Sequence, residues 1–239
     1  MKTLILTTAA LALSAGFALA DTVRMGTEGA YPPYNFINDK GEVDGYEREL
    51  GDELCKRAGL TCEWVTNDWD SIIPNLVSGN YDTIIAGMSI TEERDQVIDF
   101  TQNYIPPADS AYAALTADAD LKGVIAAQTG TIQADYVAGS GATLAEFATL
   151  DDTLAAVKSG EADAVFADLD ALAASVNESG GALVWAGEPV SLGGGVGMGL
   201  RESDKELRAK FDAVITEMKA DGTINTLITK WFGPEAKTY

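Results

Sequence analysis

The chain has 239 residues, 46% hydrophobic and 22% charged, which is enough apolar material for one large core or two smaller ones and too much for a disordered segment. It contains no histidine, which excludes Ser-His-Asp and Cys-His nucleophiles, histidine general bases and histidine-ligated zinc or haem. Its 37 acids against 16 bases give a formal net charge of −21, which disfavours nucleic acid as a partner and fits a soluble chain kept apart by self-repulsion.

Residues 1–20 read as a secretory signal peptide: Lys2, an apolar run from Leu4 to Leu13, and Ala18-Leu19-Ala20 as an A-x-A cleavage site. No cysteine follows the cleavage point, so a lipid anchor is not indicated and a periplasmic location is expected. Residues 22–26 alternate and are β-branched, a strand. Ala30-Tyr31-Pro32-Pro33 is a loop, and Asn38-Asp39-Lys40-Gly41 a turn. Residues 47–58 carry Leu50 and Leu54 at helical spacing and stop at Gly59. Cys55 and Cys62 lie in CKRAGLTC; an even count at short spacing in an oxidising compartment predicts one disulfide, and two lone thiols complete no zinc site. A strand over 62–66 follows, then a helix capped by Asp70 and running to Val77. Residues 82–86 form a buried strand, and Thr91 caps another turn of helix.

This β-α-β-α-β order fits a parallel sheet with helices on its faces. It pauses at Ile105-Pro106-Pro107-Ala108 and begins again: a strand over 123–127, a tight loop, a helix entered near Gln133, a helix over 152–158, and a strand over 163–167 with Asp168 at its carboxyl end. The segments SGNYDTIIA and SGEADAVFA echo each other in the two halves. Gly193 to Gly197 reads as a second crossing, followed by a strand over 198–200, a helix over 205–219 and a closing segment ending at Trp231-Phe232-Gly233. The expectation is an α/β chain of two lobes, 21–106 with 198–239 and 107–197. Each lobe is a mostly parallel sheet flanked by helices, and two hinge crossings permit clamshell closure.

In open α/β sheets ligands bind beyond the carboxyl ends of the strands. There this chain places Glu28, Tyr31, Trp69, Ala86, Gly87, Ser89 and Arg94 in one half, and Gln128, Thr131, Ile132, Gln133 and Asp168 in the other. The set suits an α-amino acid. Arg94 can hold a carboxylate through two parallel hydrogen bonds. Backbone N–H groups at helix starts, near Thr91 or near Thr131 and Ile132, add to that hold. Asp168 and the Ser89 hydroxyl can take the ammonium, Tyr31 and Trp69 offer aromatic faces, and Glu28 can meet a terminal cation. Taken singly, Arg94 also reads as an exposed helix residue with local ion pairs, Asp168 as a helix cap, and the aromatics as core or rim. No D-x-D-x-D-G calcium loop and no phosphate loop occurs, so neither metal nor cofactor is expected.

GTEGAYPPYNF, the CKRAGLTC pair, TNDWDSIIPNL, DTIIAGMSITEERDQVIDFTQNY, QTGTIQADY and ADGTINTLITKWFG together resemble the periplasmic polar-amino-acid-binding proteins of ABC importers, solute-binding protein family 3. The likeness covers the chain after the signal and is to the branch of lysine/arginine/ornithine and histidine receptors. It implies a two-lobed periplasmic-binding-protein fold of type II, a monomer closing on one amino acid, and delivery to a membrane permease. It implies Arg94 on the ligand carboxylate and Ser89 and Asp168 on the α-amino group. Main-chain bonds would come from Gly87, Thr131 and Ile132. Tyr31 and Trp69 would flank the side chain, Glu28 would meet the distal cation, and Gln133 would line the second-lobe wall. That branch carries two serines where this chain has Ala86-Gly87, which leaves space near the ammonium. A basic L-amino acid is the first reading. Glutamine or another polar amino acid, or a substituted α-amine of the opine type, is the second. A cyclohexadienyl dehydratase-like enzyme and a sensory domain are further alternatives on the same architecture.

Overall fold

A computed structural model describes residues 22–239, and the expected signal peptide lies outside the described residues. The chain opens with β1 (Val23–Thr27), whose inward residues are buried. A small three-stranded sheet follows, formed by β2 (Ala30–Tyr31), β3 (Asn35–Ile37) and β4 (Val43–Asp44). Helix α1 (Tyr46–Ala58) buries Tyr46, Glu47, Leu50, Gly51, Leu54 and Cys55, and ends on Gly59 in the left-handed region at φ 65°, where glycine has no Cβ penalty. The Cys55–Cys62 disulfide ties α1 to β5 (Cys62–Thr66), which runs parallel to β1.

Helix α2 (Ile72–Val77) begins later than the expected Asp70 cap, because a single 3-10 turn, Trp69–Ser71, precedes it. The Asn67 amide donates to Asp68 O at 2.7 Å and to Ser71 Oγ at 2.9 Å, which stabilises that tighter turn. Strand β6 (Thr83–Ile84) is shorter than the expected 82–86, since Gly87 turns out of the sheet at φ 62° and gives its N–H to a side chain. A 3-10 turn at Arg94–Gln96 leads to β7 (Asp99–Phe100).

The second five-stranded sheet is built from β8 (Asp109–Ala114), β9 (Val124–Gln128), β10 (Thr143–Phe147), β11 (Ala164–Asp168) and β12 (Val184–Ser191). Helices α3 (Ile132–Ser140), α4 (Leu150–Ser159) and α5 (Leu169–Glu178) alternate with them. The chain then returns as β13 (Gly199–Leu200), α6 (Lys205–Ala220) and α7 (Thr223–Phe232), with both helices packed on α1. The strand orders are β5-β1-β6-β13-β7 and β10-β9-β11-β8-β12. The pairings β5–β1–β6 and β10–β9–β11, at one end of each sheet, are parallel. The remaining pairings are antiparallel, because β8 and β13 enter their sheets directly from a crossing and so run against their neighbours.

The chain passes between the sheets at 101–108 and again at 192–198, and the two connections pair with each other. Tyr104 N donates to Val196 O at 2.7 Å, and Val196 N to Ile105 O at 3.0 Å. Gly195 makes this possible: at φ 88° any Cβ would stand 2.5 Å from Ile105 O. Beneath the first sheet Tyr34, Tyr46 and Tyr104 are fully buried, and Phe232 of α7 packs on Tyr34 and Tyr46.

Candidate functional site

On the first-sheet side, β1 ends and hands Glu28 to the loop that reaches Tyr31, while β6 ends and hands Ala86 and Gly87 to a turn running on to Ser89. Ser89 is held by a bridge to Val196 of the second crossing. The Thr91 hydroxyl accepts from Arg94 N at 3.2 Å, so Thr91 supports the start of that turn as the sequence implied. The Arg94 guanidinium donates from Nη1 to Ser89 O at 2.8 Å and lies 5.4 Å from the ring centre of Trp69. Burial pushes its pKa below the ordinary arginine value, opposed by the charges of Asp135, Asp168 and Glu93.

On the second-sheet side, Gln128 ends β9 and Thr131 caps α3. The Thr131 hydroxyl accepts from Ala134 N at 3.1 Å and donates to Gln128 O at 2.7 Å. The N–H groups of Thr131 and Ile132 stand at the amino end of α3, where no preceding helical turn offers an acceptor and the helix dipole is positive. Gln133, buried in the first turn of α3, donates from Nε2 to Asp168 Oδ1 at 2.9 Å and to Ser110 Oγ at 3.0 Å. Asp168 precedes α5 but makes no side-chain cap bond to it, so local capping does not explain this acid.

All twelve residues singled out in the sequence line one cavity between the two sheets: Glu28, Tyr31, Trp69, Ala86, Gly87, Ser89 and Arg94 facing Gln128, Thr131, Ile132, Gln133 and Asp168. Four bonds cross it. Tyr31 Oη donates to Asp168 Oδ2 at 2.7 Å and accepts from Asp168 N at 3.4 Å, Gln128 Nε2 donates to Glu28 Oε1 at 2.5 Å, and Arg94 Nη2 to Gly130 O at 3.1 Å. Desolvation raises Glu28 to about 7, with the Gln128 amide pulling the other way. Desolvation likewise raises Asp168 to about 6, against the bond from Tyr31 and the charge of Arg94. When both acids are ionised, the cavity holds two carboxylates against one guanidinium.

One expectation is narrowed: Gly87 N donates to Glu47 Oε1 at 2.6 Å, which leaves the carbonyl as the group a ligand can meet. Glu47 and Asn35, both fully buried behind the cavity wall, were not singled out in the sequence. A signal was present, since Glu47 shares the α1 face of Leu50, Gly51 and Leu54, and an acid on an apolar stripe has to find donors. Among the described residues no cluster of metal-ligating side chains occurs, and no helix is long and apolar enough to cross a membrane.

Comparison with known proteins matches residues 23–234 to bacterial extracellular solute-binding proteins, family 3. A crystal structure of a periplasmic His/Glu/Gln/Arg/opine family-binding protein from Silicibacter pomeroyi in complex with lysine is 76% identical, with a TM-score of 0.90, covering 91% of this chain and 100% of that one. The lysine/arginine/ornithine-binding periplasmic protein of Escherichia coli is 33% identical over 239 residues, 92% of this chain and 91% of the relative. The octopine-binding periplasmic protein of Rhizobium meliloti is 31% identical over 279 residues, 94% and 95% of the two chains.

Proposed function

Since the chain belongs to family 3 of the bacterial extracellular solute-binding proteins, we propose that it captures an L-amino acid with a cationic side chain, lysine, arginine or ornithine, and carries it to the permease of an ABC importer. In this reading it works as a monomer in the periplasm and performs no reaction. The observation that carries it is the charge balance of the cavity: Glu28 and Asp168 against Arg94 complement a ligand of net charge +1.

The ligand carboxylate meets the Arg94 fork and the free N–H groups of Thr131 and Ile132 at the amino end of α3. The α-ammonium meets Asp168, the Ser89 hydroxyl and the Gly87 carbonyl. The aliphatic stem lies between Tyr31 and Trp69, and the distal cation reaches Glu28. Gln128 and Gln133 keep the two acids oriented, through their bonds to Glu28 and Asp168. Entry requires the cleft to open, because Tyr31 and Gln128 occupy the acids from across it.

The second reading has its own observation. Ala86 and Gly87 put no hydroxyl beside the ammonium position, so the substituted amine of an opine would forgo no side-chain partner there. A thermal-shift screen of the proteinogenic amino acids, ornithine, citrulline and octopine separates the two. Lysine, arginine and ornithine are expected to raise Tm strongly, since a ligand at a hundred times its Kd adds about 2.7 kcal/mol to a fold that alone binds it. Citrulline, with arginine's shape and no charge, is expected to do little. Equal shifts from citrulline and arginine contradict the charge reading.

A further inference from the structure

Behind the cavity lies a buried carboxylate with no cation beside it among the described residues. Glu47, in the first turn of α1, has neutral donors as its partners: Oε1 accepts from Gly87 N at 2.6 Å and from the Tyr104 hydroxyl, and Oε2 accepts from Asn35 Nδ2 at 2.7 Å. Asn35 is equally buried, and its Oδ1 accepts from Gly29 N at 2.6 Å. The direction of this chain of bonds is forced. An ionised carboxylate only accepts, so the Asn35 amide must turn its NH2 toward Glu47 and its oxygen toward Gly29. Gly29 is the next residue after Glu28. The two oxygens of one buried acid therefore hold both ends of the cavity wall, Gly87 beside the ammonium position and, through Asn35, the backbone carrying Glu28.

We propose that Glu47 and Asn35 are positioning residues that fix where Glu28 stands relative to Gly87, and so set the preference for an amino acid with a distal cation over an uncharged one. This rests on the reading of Glu28 as the partner of that cation. Burial leaves the Glu47 carboxyl raised on balance, and the bonds from Tyr104, Gly87 and Asn35 pull against it toward the ionised form.

The polarity of the relay supplies its own test. Glu47→Gln sets an amide NH2 against that of Asn35, with no proton that can be moved to mend the bond; Asn35→Asp puts two buried carboxyl groups side by side, which keep a bond by holding one proton between them. The double variant Glu47→Gln/Asn35→Asp restores every bond. The introduced glutamine accepts from Gly87 and Tyr104 through its oxygen and donates through its amide. The introduced aspartate receives that donation and still accepts from Gly29.

Lysine and glutamine affinities are measured by calorimetry, and exchange of the Gly29 amide by NMR without ligand. Glu47→Gln is expected to cut the lysine-to-glutamine affinity ratio about tenfold and to speed Gly29 exchange, and the double variant to recover both within about threefold. A Glu47→Gln variant that keeps the wild-type ratio, or a double variant no better than it, overturns the proposal. A single variant too unstable to purify leaves the double variant as the test, with the same recovery expected. Should the unaltered protein bind no basic amino acid, the proposed function fails separately. Gly29 exchange then decides alone: faster in Glu47→Gln and restored in the double variant supports the relay, and unchanged exchange throughout refutes it.

Discussion

Glu28 and Asp168 are acids placed where water is scarce, and each holds its proton more tightly than in an open chain, to about 7 and about 6 respectively. The folded protein therefore binds more protons than the unfolded one between the ordinary carboxylate values and these raised ones. That contribution to stability is present at low pH and is lost as pH rises through the raised values. Asp82 behaves oppositely: clamped by Arg24 at 2.8 Å and Arg201 at 3.0 Å, it is held down at about 2, and its contribution disappears only as pH falls toward that value. The Tm without ligand is thus expected to decline from about pH 5 to about pH 8. The gain on adding lysine is expected to grow over the same interval, because a bound cation stabilises the ionised acids that the empty cavity disfavours. A lysine gain that shrinks with rising pH in a thermal-shift series counts against Glu28 as the cation's partner.

Arg94, Asp168 and the aromatics were legible as residues because each lies at a strand end or in the connection that follows one, where sheet geometry gathers a ligand's contacts. Glu47 and Asn35 were less so. Their role depends on partners distant in sequence, Gly87 lying 40 residues from Glu47 and Tyr104 lying 57 residues away, and no local pattern records such pairings.

Among the elements, α1 and β1 were read closely from periodicity, alternation and the Gly59 stop. Strand β8, DSAYAA, carries alanines that favour helix locally, and its strand form comes from pairing with β11 and β12 on either side. The shortened β6 reflects Gly87 leaving the sheet to reach Glu47, again a tertiary demand. The Cys55–Cys62 bridge joins α1 to β5 across a sequence separation of 7 and stands outside the cavity. Cys55→Ala/Cys62→Ala is expected to lower stability in urea by roughly 2–3 kcal/mol, the loop-entropy value for so short a loop. Ligand affinity should stay unchanged; a large loss of lysine affinity would show that α1 depends on the bridge to hold the cavity wall in place.

At the scale of the molecule, two mixed sheets face each other across a cavity, joined by two connections that lie side by side and pair at Ile105 and Val196. A rotation of the sheets about such paired connections would have to break the four bonds that cross the cavity. The repeated SG-x-x-D pattern made the doubling readable, whereas the bonds across the closed cavity arise only from the folded arrangement. A net charge of −21 draws a cationic solute toward the molecule and repels anionic ones before any contact forms.

Calorimetric titration of lysine and glutamine into the unaltered protein and into Glu28→Gln decides the matter most directly. Lysine affinity is expected to fall at least about thirtyfold in the variant, since removing one member of a buried charge pair strands the other, while glutamine affinity changes little. Lysine binding that survives the substitution, or losses of equal size for both ligands, would contradict a cleft built to pair a cationic side chain.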